Sequence, residues 1–374
     1  MMGAPSRRAF TLVELLVVTG LMAALFGLIV TGLRPNEDSD LRAATQSVVS
    51  SLLQAQTRAL QSPAGAGLQF STTVVPVAGG SASIATGLAL AIQPPAIVVT
   101  ATSLIVNASG ASLADATSLP AGTSLAGAQA NIVFQTPENA DGVGDGYRIR
   151  FATSFSGTVA PASFSPWFGF EPAVTGANAG IVSFLPSDGQ NVSNTVWPVA
   201  LQPMRLRCEI ARRPETAQSL TDIGKTVAID MRYSGVGDDP DAACGSFHPV
   251  GQSPLGDVVL QFGSSGGIDA VIPVGVSSKA ALDPSRAPAR SPAPIYLLLT
   301  PRSLIDANAS SLRTDRSVWI AINPATGRVV SGKNVSQAGP PPTLGGSKEQ
   351  YVAAYRTYFQ NARAQVRQMS ATPR

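Results

Sequence analysis

The chain contains few of the residues on which most catalytic and metal sites depend. It has two cysteines and a single histidine in 374 residues, and only 13% of its residues are charged. A structural zinc site with four cysteine or histidine ligands is therefore not expected. A Ser-His-Asp triad would have to use His248, which has no nucleophile elbow near it in the sequence. A glycine-rich phosphate loop is also lacking, so the sequence favours a protein that is not an enzyme and carries no cofactor.

The chain also has little net charge with which to attract a charged partner. Its formal net charge of +3 includes Arg7 and Arg8 near the amino terminus, so the remainder is nearly neutral. A nearly neutral body argues against binding to nucleic acid. Glycine and proline, with 35 and 29 residues, together exceed a sixth of the chain, and this content favours turn-rich β structure over helix.

A long apolar run lies near the amino terminus, at residues 10–33, directly after Arg7 and Arg8. As a helix it would be about 36 Å long, which is enough to cross a bilayer. Glu14 is its only charged residue, and a carboxylate there costs on the order of 3 kcal/mol unless it has a partner. A secretory signal peptide would have a shorter apolar run, of about 7–15 residues. An uncut signal anchor would keep the arginines inside and would not need Glu14.

Residues 1–33 thus combine a short basic leader, the sequence Phe-Thr-Leu-Val-Glu and an unbroken apolar run. This order resembles the class III signal of type IV pilins and type II secretion pseudopilins. The resemblance implies that a prepilin peptidase cuts between Ala9 and Phe10 and that the new amino terminus is methylated. It also implies that the amine of Phe10 pairs with Glu14 of a neighbouring subunit. The residue before the cut is usually glycine in this family, and Ala9 has the next smallest side chain.

The resemblance also implies a function and a location. In this family the apolar helices of many subunits bundle into a filament core, so the chain is expected to be a structural subunit, a minor pilin or minor pseudopilin. The expected partners are other pilin-like subunits, the prepilin peptidase and the inner-membrane assembly machinery. The expected location is the inner membrane, as a single-pass protein with an extracytoplasmic domain, and then a periplasmic or surface filament. Residues 54–59 and the late strands are similar to the H-type minor pseudopilin or FimT-like group.

The sequence pattern divides the chain into six segments. They are a leader (1–9), a transmembrane or filament-core helix (10–33), an amphipathic continuation of that helix (34–61), a β-rich extracytoplasmic domain (62–336), a proline- and glycine-rich linker (337–347) and a basic C-terminal helix (348–374). The expected fold class is α+β, with a long N-terminal pilin-type helix, antiparallel sheets and a short C-terminal helix. Pro35 lacks a backbone donor, so we expect a kink or short break there.

Periodic patterns predict the individual elements. Apolar residues at helical spacing predict that one helix face is buried, and these residues are Leu41, Ala44, Val48, Leu52, Ala55 and Ala59. Runs rich in β-branched residues, several of them alternating, predict strands at 131–135, 147–153, 180–185, 204–211, 226–233, 257–262, 268–273, 295–300 and 317–323. Glycine-containing turns at 263–267 and 324–327 predict two hairpins.

Two sets of polar residues in the body are candidate sites. Cys208 and Cys244 form a disulfide if the domain is extracytoplasmic, or they remain as two buried thiols, and the sequence leaves both readings open. Asp238, Asp239 and Asp241 are weak candidates for oxygen ligands of Ca²⁺. They do not follow an EF-hand spacing, and such clusters are ordinary turn chemistry, so we expect no metal.

The C-terminal segment 348–374 is basic, with a net charge of +4. Apolar and aromatic residues fall on one predicted helical face, and these residues are Tyr351, Tyr355, Tyr358, Ala362, Val366 and Met369. Arg356, Arg363 and Arg367 lie beside that face and are candidates for contact with a partner. The alternative function is therefore an adhesive or DNA-binding tip subunit that uses this helix and the β body as a binding module. In the competing interpretation, the tyrosines pack on the chain's own domain.

Overall fold

The computed structural model describes residues 12–32, 37–62, 65–77, 80–108, 111–112, 129–135, 146–151, 167–172, 179–186, 206–217, 221–237, 247, 256–274, 293–342 and 347–371. The α-helices within these residues are α1 (Leu12–Gly32), α2 (Glu37–Gln61), α3 (Ser310–Arg313), α4 (Lys348–Ala362) and α5 (Ala364–Ala371). The strands are β1 (Ala66–Val77), β2 (Gly80–Ile92), β3 (Ile97–Ala108), β4 (Ala111–Ser112), β5 (Gln129–Gln135), β6 (Gly146–Phe151), β7 (Phe168–Pro172), β8 (Ala179–Pro186), β9 (Leu206–Arg212), β10 (Glu215–Thr216), β11 (Thr221–Asp222), β12 (Val227–Asp230), β13 (Gly235–Val236), β14 (Asp257–Phe262), β15 (Ile268–Val274), β16 (Ile295–Pro301), β17 (Val318–Ile322) and β18 (Val329–Lys333).

The amino-terminal part of the chain forms two helices instead of one long helix. α1 ends at Gly32 and α2 begins at Glu37, with Pro35 between them in the sequence. Pro35, where a kink or short break is expected, lies outside the described residues. The predicted α+β fold with a long pilin-type helix is therefore wrong. The described chain is β-rich, with two curled antiparallel sheets and few helices.

The side chains of α1 are described for Val13 and for residues 15–25. In the part of the chain that the structure describes, no helix is both long enough and apolar enough to cross a membrane. The prediction of a single-pass inner-membrane protein is therefore wrong.

The main sheet is antiparallel and joins strands that are far apart in the sequence. Its strand order is β15-β14-β1-β2-β12-β16-β17-β18, and the short strands β10, β11 and β13 pair with β2 and β16. Both predicted hairpins are confirmed, because β14 pairs with β15 and β17 pairs with β18. In the centre of the sheet, β1 pairs with β2 on one side and with β14 on the other.

The second sheet closes on itself into a ring of six strands. Its order is β3-β5-β8-β7-β6-β9, and β9 pairs back onto β3, while β4 extends the sheet beside β3. Side chains that alternate along the strands fill the interior with apolar atoms, and buried examples are Ile132, Ile149, Phe151, Phe168, Phe170, Val182, Cys208 and Ile210. We call this unit, residues 97–212, the strand ring.

The strand ring is an insertion into the main sheet. The chain leaves the main sheet at Ile92, the end of β2, and returns at Glu215, the start of β10. Glu215 and Ile92 are direct antiparallel partners. The entry and exit of the ring are therefore neighbours in space, which is the usual geometry of an inserted domain.

The main sheet is covered on both faces. On one face, α2 buries the predicted apolar stripe, which confirms that prediction, and it packs on sheet residues such as Leu260 and Ile320. On the other face, Trp319 packs with Phe359 of α4. Ile320 and Trp319 are consecutive in β17, so they point to opposite sides of the sheet. A third contact surface, around Val259, joins the main sheet to the strand ring.

α2 also fixes the two predicted hairpin turns. The Nε2 of Gln56 donates to the carbonyl of Gly266 at 2.9 Å and to the carbonyl of Thr326 at 3.0 Å. Gly266 and Gly327 have φ of +81° and +65°, a backbone conformation that suits glycine. A single side chain thus holds both turns against the helix.

Candidate functional site

The described side chains of α1 are exposed all the way around the helix. Residues 15–25 cover three turns, and each of them is exposed, so no face of this stretch packs on the body. The large apolar side chains are between 48% and 70% exposed, and they are Val13, Leu15, Leu16, Val17, Val18, Leu21, Met22 and Leu25. A helix that is apolar on every face is normally buried. This surface is therefore the strongest indication of an interaction site.

Thr19 is the only polar side chain among residues 15–25, and it is satisfied within the helix. Its hydroxyl donates to the carbonyl of Leu15 at 2.9 Å and lies 3.1 Å from the carbonyl of Leu16. A hydroxyl bonded in this way has little need of water, so the stretch can enter an apolar environment without leaving a donor unpaired. Gly20, the next residue, has open space where a side chain would extend.

The residues predicted for cleavage and pairing at the amino terminus are not tested. Ala9 and Phe10 lie outside the described residues, and Glu14 lies in α1 with its side chain outside the description. Cleavage after Ala9, methylation of Phe10 and an assembly role for Glu14 therefore stay predictions.

The structure places Arg363 inside the protein. Only 1% of the residue is exposed. Its Nη1 donates to the carbonyl of Gly237 at 2.7 Å, and its Nη2 donates to the carbonyl of Tyr233 at 3.0 Å. The guanidinium carbon lies 4.2 Å from the ring centroid of Tyr296 and 4.5 Å from that of Trp319. Planar arginine suits such a site, because it stacks on aromatic rings and donates in its own plane.

Arg363 was a candidate for partner contact, and its burial gives it an internal role instead. It lies between α4 and α5, so the predicted single C-terminal helix is two short helices. Arg356 is exposed and Arg367 is partly exposed, so partner contacts through these two residues stay a prediction.

The predicted apolar face of the C-terminal segment is only partly buried. Ala362 and Val366 are fully buried, whereas Met369 is 45% exposed. Burial raises the pKa of Tyr358 to about 12 and also raises the pKa of Tyr355. Phe359, which lies on the same side, is the main buried anchor, and sequence analysis did not single it out. Phe359 stands four residues after Tyr355 and three before Ala362, so helical spacing was the signal that could have found it.

A buried polar cluster joins the strand ring to the main sheet. Arg148 Nη2 donates to Asp269 Oδ2 at 2.8 Å, and the Tyr147 hydroxyl donates to Gln261 Oε1 at 3.2 Å. The Arg148 guanidinium also lies 5.0 Å from the ring centroid of Trp167. Burial raises the pKa of Tyr147 to about 12. These groups are paired with each other, which is typical of a structural contact between units.

Another buried polar cluster lies at the end of β12. Asp230 is fully buried, and Arg232 donates to its two carboxylate oxygens from Nε and Nη2, at 2.9 and 2.7 Å. The Ser311 hydroxyl donates to the same carboxylate at 2.9 Å. The sequence pattern predicts only an alternating strand at 226–233. The Asp-x-Arg spacing was the available signal for the pair.

The cysteine and calcium candidates stay predictions. Cys208 is buried in β9, and Cys244 lies outside the described residues, so neither the disulfide nor its alternative is tested. Asp238, Asp239 and Asp241 also lie outside them. Among the residues that are described, no group of three or more histidine, cysteine, aspartate or glutamate side chains could hold a metal ion.

Comparison with known proteins gives the chain no relatives. No protein-family model matches it, and no curated protein or solved structure is similar to it. The resemblance of the amino terminus to pilins and pseudopilins is therefore wrong as an assignment. Its two main expectations fail, since no family model of pilins or of secretion proteins matches and the long N-terminal helix is absent from the described residues.

Proposed function

We propose that this protein is a structural subunit, not an enzyme, and that it assembles with other copies through α1. The observation that supports the proposal is the exposure of apolar side chains on every face of residues 15–25. Exposed apolar patches of this kind mark interaction sites in soluble proteins. Each of the other α-helices in the described residues buries at least one side chain in the body, so α1 is the α-helix left for contact with another molecule.

The energetics favour association of α1 with further apolar helices. Fully burying a leucine, valine or methionine side chain contributes about 1.5–3 kcal/mol relative to leaving it exposed. Eight such side chains are exposed on the described part of α1. Copies of α1 supply matching surface to one another, and the internally bonded Thr19 adds no polar group that must stay in water. The β body would remain outside such a helix bundle.

Charge placed on two sides of α1 tests this proposal. Leu16 and Leu21, which are 65% and 59% exposed, lie about 140° apart around the helix. The double variant Leu16→Glu/Leu21→Glu should sediment as a monomer, while the unmodified chain sediments as assemblies. The reason is that each buried carboxylate would have to leave water. Analytical ultracentrifugation of the full chain measures the difference.

The matched control places the same charges on α2. Leu53 and Leu60 are 46% and 56% exposed, and Leu53→Glu/Leu60→Glu should leave the assemblies intact. A cysteine at Val18 should form disulfides between copies, whereas a cysteine at Leu53 should not. The proposal would be refuted by a monomeric unmodified chain, or by an equal loss of assembly in the α2 variant.

The alternative of a tip subunit that binds through the C-terminal segment has weaker support. It relies on contacts by Arg356, Arg363 and Arg367, and Arg363 is buried inside the body. Removing the segment after residue 346 would expose the aromatic face of the main sheet, so a truncation would confuse lost binding with lost packing.

A further inference from the structure

α4 and α5 cover one face of the main sheet without being part of it. α5 packs on β17 and β18, and Phe359 of α4 and Val366 of α5 share one apolar cluster with Trp319. Backbone contact is limited, with the N–H of Val335 donating to the carbonyl of Ala362 at 3.0 Å. We call α4 and α5 together the C-terminal helix pair.

The main sheet is complete beneath the C-terminal helix pair. Its eight-strand path includes no residue of the pair, and α2 packs on the opposite face. Residues 337–342, which lead toward the pair, form neither helix nor strand. Detachment of the pair would therefore break no strand pairing and would leave the α2 side of the core unchanged.

Arg363 is the strongest polar contact between the pair and the sheet. Its two hydrogen bonds reach the carbonyls of Tyr233 and Gly237, and its guanidinium lies over Tyr296 and Trp319. One side chain makes all of these contacts. They are therefore lost together when the pair detaches. Charge-assisted hydrogen bonds are about twice as strong as neutral ones, so a single residue here has a large effect.

We propose that the C-terminal helix pair opens from the main sheet as one unit, independently of the rest of the fold, and that Arg363 is the positioning residue that holds it closed. This conformational step exposes the aromatic face of Tyr296 and Trp319 and releases a basic segment. It does not depend on assembly through α1. Local opening of a peripheral unit at a free energy below that of global unfolding is a general property of proteins.

Hydrogen–deuterium exchange of the full chain tests the proposal. In Arg363→Met, exchange in 347–371 should become at least about tenfold faster, while exchange in β17, α2 and β14 stays unchanged because their strand and helix hydrogen bonds remain. Arg363→Lys keeps the positive charge but loses the planar guanidinium with its several N–H donors. Its exchange rate in 347–371 should therefore lie between those of the unmodified chain and Arg363→Met. Arg356→Met is the matched control, because Arg356 is an exposed arginine of α4, and this variant should exchange like the unmodified chain.

Two outcomes would overturn the proposal. If Arg363→Met leaves exchange in 347–371 unchanged, Arg363 does not hold the pair closed. If the same variant accelerates exchange equally in α2 and β14, the pair does not open independently of the main sheet.

Discussion

At the scale of single residues, the buried hydroxyl of Tyr147 makes the free energy of unfolding decrease at alkaline pH. Burial raises its pKa to about 12 from an ordinary value of 10. In the unfolded chain this hydroxyl loses its proton near pH 10, whereas in the folded chain it keeps the proton up to about pH 12. The folded state thus binds more protons in this window, and stability falls as pH rises from about 10 to 12.

Replacing Tyr147 with phenylalanine should remove this part of the alkaline sensitivity. Between pH 9 and pH 11, the free energy of unfolding should fall by about 1 kcal/mol more in the unmodified chain than in Tyr147→Phe, as measured by urea titration. Tyrosinate absorbance supplies the control. At pH 11 the two folded proteins should match, while in denaturant the unmodified chain should show one additional tyrosinate. Equal alkaline losses in the two proteins would contradict the prediction.

The burial of a residue could be predicted from the sequence where several residues at regular spacing share one environment. It could not be predicted where a single residue has partners that are distant in the sequence. The stripe of α2 follows from spacing alone, because every member meets the same apolar sheet. Arg363 could not be placed from the sequence, because its partners are the carbonyls of Tyr233 and Gly237, more than 120 residues earlier. An arginine on a basic helix is normally solvated, and only the fold shows that this one is not.

At the scale of elements, α2 offers a direct comparison of neighbouring leucines. Leu52 is fully buried against the main sheet, and Leu53 is 46% exposed. Leu52→Ala should lower the free energy of unfolding by about 2–5 kcal/mol, because it removes core contacts and leaves a cavity. Leu53→Ala should change it by about 0.5 kcal/mol or less. Urea unfolding measures both, and similar losses in the two variants would show that the helix face has been assigned incorrectly.

Elements with local signals were predicted well, and their long-range arrangement was not. The hairpins of β14 with β15 and of β17 with β18 are confirmed, because a glycine-containing turn between two apolar runs specifies its own pairing. The closure of the strand ring rests on the pairing of Val99 with Cys208 and of its neighbours. No turn encodes that contact. The strand predictions therefore match β5, β6, β8 and β9 of the ring, whereas β7 and the closure of the ring were not predicted.

At the scale of the whole molecule, the strand ring should be removable. Ile92 and Glu215 are direct antiparallel partners, so Asn-Gly in place of residues 93–214 would join them as a tight hairpin. The shortened chain should still fold, with cooperative unfolding and strand-type circular dichroism. Its stability should be lower, because Val259 and Ile272 lose their cover and Asp269 loses Arg148.

The reciprocal experiment supplies the control for this excision. Residues 93–214 expressed alone should fold as the ring, since its interior is filled by its own side chains. An unfolded shortened chain, together with an unfolded isolated ring, would show that the two sheets form one cooperative unit.

The pairing of β1 with β14 has a consequence for the order in which the chain folds during synthesis. Ala66 lies opposite Phe262, so the centre of the main sheet cannot be completed until nearly 200 further residues have been made. All six strands of the ring are contained in residues 97–212 and are available earlier. Contacts between distant residues also form more slowly than local ones. The nascent chain therefore completes the ring first. Until the later strands of the main sheet have been made, the apolar faces of β1, β2 and α2 stay exposed. This delay makes the early part of the main sheet the segment most in need of chaperone protection.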